Sequence, residues 1–173
     1  MRILDIGCGI NPQKDANYRI DKVKTQYTTH VINIENEPLP FNDDYFDKIY
    51  AICMLEHLFD IEYAIREIYR CLKTDGIFIL QVPYFRYPIG KNPLHKSEWS
   101  WCAFDYWLNE DTRMLLKNTP KFKLLRKEFI FSDNMNKWIL KLCQFIIKRN
   151  PFLYENTLSV FFSARLIHIE VTK

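Results

Sequence analysis

The chain has 173 residues, of which 48% are hydrophobic and 26% charged, and its formal net charge at pH 7 is +3. This composition is that of a globular protein and excludes a disordered or fibrous chain. The charge is too small to indicate nucleic-acid binding by itself.

The five cysteines form no Cys-x-x-Cys pair, so we expect no metal site. No apolar run is long enough to span a membrane, and we expect no signal peptide. We therefore expect one domain over residues 1–173 in the cytoplasm.

Short apolar runs predict the first strands of a sheet. Residues 2–6 form a buried strand that enters the turn Gly7-Cys8-Gly9, which uses two of the chain's four glycines. A second strand spans residues 18–21 and ends on an acid, and the β-branched residues 28–34 predict a third strand. Residues 46–53 are apolar enough to be covered on both faces of a sheet.

A helix and another strand follow. Asp60 can cap the helix, and residues 61–72 carry apolar side chains at helical spacing. We expect residues 73–76 to end the helix at Gly76, before a continuous apolar strand over residues 77–82. The order of strand, helix and strand predicts a mostly parallel sheet in an α/β fold.

The C-terminal part is rich in aromatic side chains. Residues 84–107 hold eight aromatics and follow a strand at the sheet edge where ligands bind, so we expect part of this tract to line an acceptor pocket. The pattern then predicts a helix over residues 109–118, strands over 122–131 and 158–171, and an amphipathic helix over 135–149. That last helix can pack against its own sheet, form a homodimer, or contact an anionic membrane surface.

The glycine turn indicates a ligand that contains adenosine but no phosphates. A strand that runs into Gly-x-Gly allows close approach of a ligand to the backbone. The third glycine of a dinucleotide fingerprint is replaced here by Pro12, and the first suitable acid, Asp21, follows Gly9 by only 12 residues. This spacing leaves little room for the helix that holds a pyrophosphate.

Several motifs together resemble the class I S-adenosylmethionine-dependent methyltransferases. They occur in the family's order and cover roughly residues 3–83: Ile3-Leu4-Asp5-Ile6-Gly7-Cys8-Gly9, Leu39-Pro40-Phe41-x-Asp43, Phe46-Asp47-x-Ile49, Leu55-Glu56-His57 and Glu67-x-x-Arg70-x-Leu72-Lys73-x-x-Gly76. The resemblance implies a Rossmann-like three-layer α/β sandwich with a seven-stranded, mostly parallel sheet. Its last strand would be antiparallel, and Asn11-Pro12 would shorten the first helix.

The resemblance also implies the residues that bind S-adenosylmethionine. Gly7 and Gly9, with Cys8 between them, would approach the methionine portion, and Asp5 would orient the turn or the amino group. Asp21 would accept hydrogen bonds from both ribose hydroxyls. The adenine would lie at the end of the third strand, where Asn33 or Glu35 would read its amine beside Ile34, and Ile52 and Cys53 would touch the methionine end.

The acceptor side of the site is less defined by the sequence. His57 and His95 are the candidate general bases at neutral pH, and His57 with Glu56 can instead tie a strand to its helix. The size and modest charge favour a small or sugar-like acceptor over RNA, which the basic residues 121–127 could contact. An S-adenosylmethionine-binding module or partner subunit without activity is the alternative function, and a nicotinamide oxidoreductase is disfavoured by Pro12.

Overall fold

The computed structural model describes residues 1–109, 119–160 and 164–173, and within them seven strands form one sheet. The strands are β1 (Ile3–Ile6), β2 (Tyr18–Asp21), β3 (His30–Val31), β4 (Phe46–Ile52), β5 (Leu72–Pro83), β6 (Lys123–Ile130) and β7 (Leu166–Thr172). The helices are α1 (Ile61–Cys71), α2 (Lys137–Arg149) and α3 (Pro151–Asn156), and short 3₁₀ turns connect several elements. None of the helices in these residues is long and apolar enough to cross a membrane.

The strand order is β3-β2-β1-β4-β5-β7-β6. Strands β1 to β5 pair in parallel, whereas β7 is antiparallel to both of its neighbours, β5 and β6. The chain turns back across β1 after β3, so the strand order reverses between β1 and β4. That reversal opens a crevice at the carboxyl ends of the strands, where α/β sheets bind ligands.

These features confirm the predicted Rossmann-like α/β fold with an antiparallel last strand. The predicted shortening of the first helix is also confirmed, because residues 7–17 form turns without a helix between β1 and β2. The core is built by the buried residues of the central strands β1, β4, β5 and β7 together with α1. In this way the sheet places the ends of β1, β2 and β4 beside one another.

Helix α1 forms as the periodicity predicts. The Asp60 carboxylate accepts a hydrogen bond from Tyr63 N at 2.8 Å, and the side chains that face the core are Ala64, Ile65, Ile68 and Cys71. On its outer side, the Arg70 guanidinium donates to the Glu67 carboxylate at 2.7 Å and to Asp43 at 2.9 Å. Arg70 also donates to the carbonyls of Leu39 and Phe41 at 2.9 and 2.8 Å, which fixes the loop before β4 to the helix.

The third strand is shorter than predicted. Only His30–Val31 pairs with β2, whereas residues 28–34 were expected to be extended. The Thr29 hydroxyl accepts from Arg19 N and donates to Arg19 O, each at 2.8 Å, and Thr28 Oγ1 accepts from Thr25 N at 3.1 Å. Threonine hydroxyls that bond to nearby backbone compete with a regular ladder, so the strand is limited to its middle.

The predicted turn at residues 73–76 is wrong. Helix α1 ends at Cys71, and Leu72, whose side chain is fully buried, is already the first residue of β5. Phe46 pairs with Leu72 and Lys48 with Ile77, so the residues between Leu72 and Ile77 bulge out of the ladder. Within this bulge the left-handed residue is Asp75, with φ of 62°, rather than Gly76.

The C-terminal elements differ in their bounds. The predicted strand over residues 158–171 is wrong at its start, because Leu158–Val160 is a 3₁₀ turn and β7 begins at Leu166. Most of the helix predicted over residues 109–118 lies outside the described residues. Helix α2 is present, and it buries Cys143 and partly buries Ile139 and Ile146, while Trp138 and Phe145 are 78% and 56% exposed.

Candidate functional site

A cavity of about 500 Å³ lies at the carboxyl ends of β1, β2 and β4. It runs from the glycine turn to the segment after β5, and the residues that line it include Gly7, Asp21, Asn33, Ile34, Cys53, Met54, His57, Leu58, Leu94 and Lys96. A smaller cavity of about 240 Å³ is lined by Asp5, Gly7, Cys8, Gly9, Gln13 and Ile52, among others. Because Gly7 borders both cavities, the glycine turn forms the boundary between them.

The turn after β1 needs glycine at two positions for different reasons. Gly7 and Gly9 have φ of 70° and 51°, in the region that favours glycine. A Cβ on Gly7 would overlap Met54 Cγ, whereas a Cβ on Gly9 would meet only Gly7 O, at 4.0 Å. The backbone at Gly7 is therefore packed against the protein, and the backbone at Gly9 is open to a ligand.

Asp21 closes the glycine turn at the end of β2. Its Oδ2 accepts from Gly9 N and its Oδ1 from Val23 N, each at 2.9 Å. Each carboxylate oxygen keeps further lone-pair capacity after one hydrogen bond, and the residue borders the large cavity. Asp21 thus supports the turn and presents acceptors to the cavity at the same time.

Asp5 braces the loop that replaces the first helix. The residue is buried at the end of β1, and its Oδ2 accepts from Gln13 N at 2.7 Å. Burial raises the pKa of this carboxyl to about 6, which the hydrogen bond from Gln13 only partly offsets. The hydrogen bond shows a role for Asp5 in holding residues 11–13 against the glycine turn.

The two acceptors considered for the end of the third strand have separate positions. Asn33 borders the large cavity, and its Oδ1 accepts from Glu35 N at 3.3 Å. The Glu35 carboxylate instead accepts from Phe59 N at 2.5 Å, so it holds the segment before α1. Ile34 lines the cavity beside Ile32 and Leu58, which give this end an apolar wall.

The cysteines at the site are not poised as nucleophiles. Desolvation, reinforced by the nearby Glu56 carboxyl, raises the pKa of the Cys53 thiol to about 11, and burial raises the pKa of Cys8. Both thiols are therefore protonated at neutral pH. Cys53 has a left-handed backbone, with φ of 51°, where the chain leaves β4 and turns along the cavity.

Two histidines that are distant in sequence meet beside the cavity. The rings of His57 and His95 are 4.8 Å apart and nearly perpendicular, and His57 lines the cavity. The buried Glu56 lies with them, and ligand atoms of the three side chains lie within 4.8 Å of one another. Burial raises the pKa of Glu56 to about 7, and desolvation, with His95 and nearby lysines, lowers the pKa of His57. At neutral pH His57 is consequently uncharged.

The aromatic side chains of residues 84–107 are not among the residues that line the large cavity. Tyr84, Trp99, Phe104 and Trp107 are buried in the core, and Tyr84 packs edge-on against Phe129 of β6. The tract contributes Leu94 and Lys96 to the cavity wall instead. Their side chains carry no motif, which is why sequence reasoning missed them.

Part of the chain is similar to a known protein family. Residues 6–80 match the methyltransferase-domain family. An uncharacterized protein of Methanocaldococcus jannaschii is 33% identical over 90 residues, which are 46% of this chain and 36% of that protein. YrhH of Bacillus subtilis, provisionally named a methyltransferase, is 39% identical over 75 residues, which are 42% of each chain. The matches thus span less than half the length of these curated relatives.

The fold has a close counterpart among solved structures. An S-adenosylmethionine-dependent methyltransferase from Archaeoglobus fulgidus superposes with a TM-score of 0.61 over 99% of this chain and 86% of that chain, at 15% identity. The structural likeness supports the fold, and the sequence match includes β2 and β4, whose carboxyl ends border the cavity. Residues 6–80 are thus similar to the methyltransferase-domain family, and the fold is similar to that of an S-adenosylmethionine-dependent methyltransferase.

Proposed function

We propose that the protein transfers a methyl group from S-adenosylmethionine to a small-molecule acceptor. The observation that carries this proposal is the cavity of about 500 Å³, which joins the glycine turn and the Asp21 carboxylate to an apolar wall and the His57 imidazole. A cavity of this volume can hold a ligand the size of S-adenosylmethionine. S-adenosylmethionine supplies a methyl group on a sulfonium centre, and the protein's task is to hold a nucleophile in line with it.

The chain's residues fit the cofactor in a specific orientation. Asp21 presents carboxylate oxygens to the ribose, and Asn33 with Ile34 borders the adenine end. We assign the amine-reading role to Asn33, because Asn33 lines the large cavity whereas the Glu35 carboxylate holds Phe59 N. Gly9 offers open backbone to the methionine end, where Gly7, Cys8 and Ile52 line the small cavity and Cys53 lines the large one. Asp5 acts through the loop that it braces.

The acceptor belongs at the end of the cavity that His57 borders. Desolvation keeps His57 neutral, so it can take a proton from an acceptor hydroxyl or amine, or hold a group that does so. His95 lies against it and is the second polar group on this side. Lys96 and Leu94 complete the wall with one charge and one apolar surface.

A small acceptor fits the charge distribution better than RNA does. In the basic strand β6, the Arg126 guanidinium pairs with Glu128 at 2.8 Å, and the Lys127 ammonium, whose side chain is 7% exposed, pairs with Asp105 at 2.5 Å. Charges that are paired within the protein contribute little to phosphate binding. The exposed cations at the cavity itself are Lys22 and Lys96.

Titration calorimetry with S-adenosylhomocysteine tests the proposal. We expect micromolar or tighter binding by the wild-type protein and at least about tenfold weaker binding by Asp21→Asn, which keeps one oxygen but loses the carboxylate charge. Asp75→Asn, an exposed acid in the bulge before Ile77, is the matched control and should bind as the wild type does. Methylation of a panel of hydroxyl and amine acceptors then tests transfer itself. Absence of binding would refute the proposal, and binding without transfer would identify a binding module.

A further inference from the structure

Three side chains with ligand atoms suited to a metal ion converge at the acceptor side of the cavity. They are the carboxylate of Glu56 and the imidazoles of His57 and His95, which belong to the segments after β4 and after β5. The paired segments are held together by backbone contacts. Lys96 N donates to Glu56 O at 2.7 Å, and Ser97 N donates to the same carbonyl at 3.4 Å. The cluster is therefore fixed by the fold rather than by chance proximity of long side chains.

Two polar atoms in this cluster are buried without a hydrogen-bond partner. One is Glu56 Oε2, in a residue that is only 1% exposed, and the other is His95 Nδ1. A buried carboxylate oxygen with no donor is costly, because the charge loses its hydration and gains nothing in return. A cation bound between these atoms would satisfy both of them.

The tautomer of His57, the third side chain of the cluster, also favours metal binding. His57 Nδ1 lies 3.4 Å from the carbonyl oxygen of Leu94. Because a carbonyl oxygen only accepts, this nitrogen carries the hydrogen and donates a hydrogen bond to the carbonyl. The lone pair of His57 then lies on Nε2. A ring nitrogen that donates to a backbone carbonyl while the other nitrogen is free is the usual arrangement of a metal-bound histidine.

We propose that Glu56, His57 and His95 form a binding site for a divalent transition-metal ion at the acceptor side of the cavity. Two imidazoles and one carboxylate suit Zn²⁺ and its neighbours in the first row, and they leave coordination positions open to a small molecule. The ligand atoms lie within 4.8 Å of one another. Since bound ligands lie about 2.0–2.2 Å from zinc, side-chain rotations that move the ligand atoms by about 1 Å complete the site.

The effect of the metal ion on the methyl acceptor rests on the proposed function. A hydroxyl of the acceptor that reaches the open positions has its pKa lowered by the ion and releases its proton to water. The site thus favours acceptors with an oxygen nucleophile. The absence of Cys-x-x-Cys motifs predicted no metal site, and the present cluster uses none of the cysteines, so that argument did not bear on it.

Metal binding can be measured without activity. Protein dialysed against chelator is titrated with ZnCl₂ by calorimetry, and with CoCl₂ by visible spectroscopy. We expect one ion per chain, no thiolate charge-transfer band, and at least about tenfold weaker binding by Glu56→Gln and by His95→Asn. His30→Asn, which removes an imidazole on β3 outside the cavity, is the control and should bind as the wild type does. Circular dichroism verifies folding of each variant.

Three outcomes would refute the metal site. The wild-type protein could fail to bind one ion per chain, or both variants could bind as the wild type does. The cobalt spectrum could also show thiolate bands, which would place the ion on cysteines. S-adenosylhomocysteine binding is measured in the same variants. Cofactor binding without metal binding would refute only this inference, whereas metal binding without cofactor binding would refute only the proposed function.

Discussion

Gly7→Ala tests the packing of the glycine turn most directly. A Cβ at Gly7 would overlap Met54 Cγ and lie 2.9 Å from Met54 Cβ, and the φ of 70° is unfavourable for alanine. Left-handed strain costs about 1–2 kcal/mol, and overpacking costs about 1–3 kcal/mol. We therefore expect the free energy of unfolding to fall by about 2–5 kcal/mol.

A double-mutant cycle separates the two contributions. Met54→Ala removes the atoms that the new methyl group would overlap, so the strain alone remains in the Gly7→Ala/Met54→Ala protein. The coupling free energy should be about 1–3 kcal/mol in favour of the double variant. Gly9→Ala is the control, because its φ is also positive but its surroundings are open. It should lose only about 1–2 kcal/mol.

The assay is urea denaturation of the wild type and the four variants, followed by circular dichroism. A Gly7→Ala protein within about 0.5 kcal/mol of the wild type would contradict the reasoning, as would a coupling below that size. Equal losses in Gly7→Ala and Gly9→Ala would show that the backbone conformation alone governs the turn and that Met54 makes no difference.

Four further results are expected. Gly9→Ala should weaken S-adenosylhomocysteine binding by more than its small stability loss explains, as measured by calorimetry. The pKa of Asp5 in the folded protein, about 6, lies above the ordinary 3.8. The resulting stabilisation is full below about pH 4 and is lost as pH rises through 6, so thermal unfolding from pH 4 to 7 should show a decline that Asp5→Asn reduces, while the raised pKa of Glu56 maintains the remainder. Arg70→Lys should lower the free energy of unfolding by about 1–3 kcal/mol in urea titrations, because a single ammonium cannot hold two carboxylates and two carbonyls. If helix α2 contacts an anionic membrane surface, which is one of the three roles left open for it, Trp138→Ser should reduce cosedimentation with anionic vesicles, whereas Phe59→Ser should not.

The sequence predicted the parts of the fold that depend on local pattern. Helix α1 follows its apolar spacing and its Asp60 cap, and β1, β2 and β4 follow short apolar runs that end near the glycine turn and Asp21. β3 was overestimated because the hydroxyls of Thr28 and Thr29 bond to backbone outside the ladder. β5 was underestimated because burial of Leu72 draws the chain directly from the helix into the sheet.

The site was predictable only where a motif marks it. The glycine turn and Asp21 are close in sequence and have a fixed spacing, whereas His57 and His95 are separated by helix α1, strand β5 and the loop that follows it. Their contact depends on β5 running parallel to β4 and on the backbone bonds from Lys96 and Ser97 to Glu56. Packing of the aromatic tract into the core was equally hidden, because composition does not distinguish a buried tyrosine from one that lines a pocket.

The position of β7 between β5 and β6 has a consequence for how the protein is made. β5 pairs with β7 across almost ninety residues of intervening chain, for example between Gln81 and His168, which are 87 apart. During synthesis β5 is therefore an unpaired edge with an apolar face until β7 has emerged, and such edges recruit other chains. Substitutions in β7 should consequently reduce the yield of folded protein through aggregation while the molecules that do fold bind the cofactor normally.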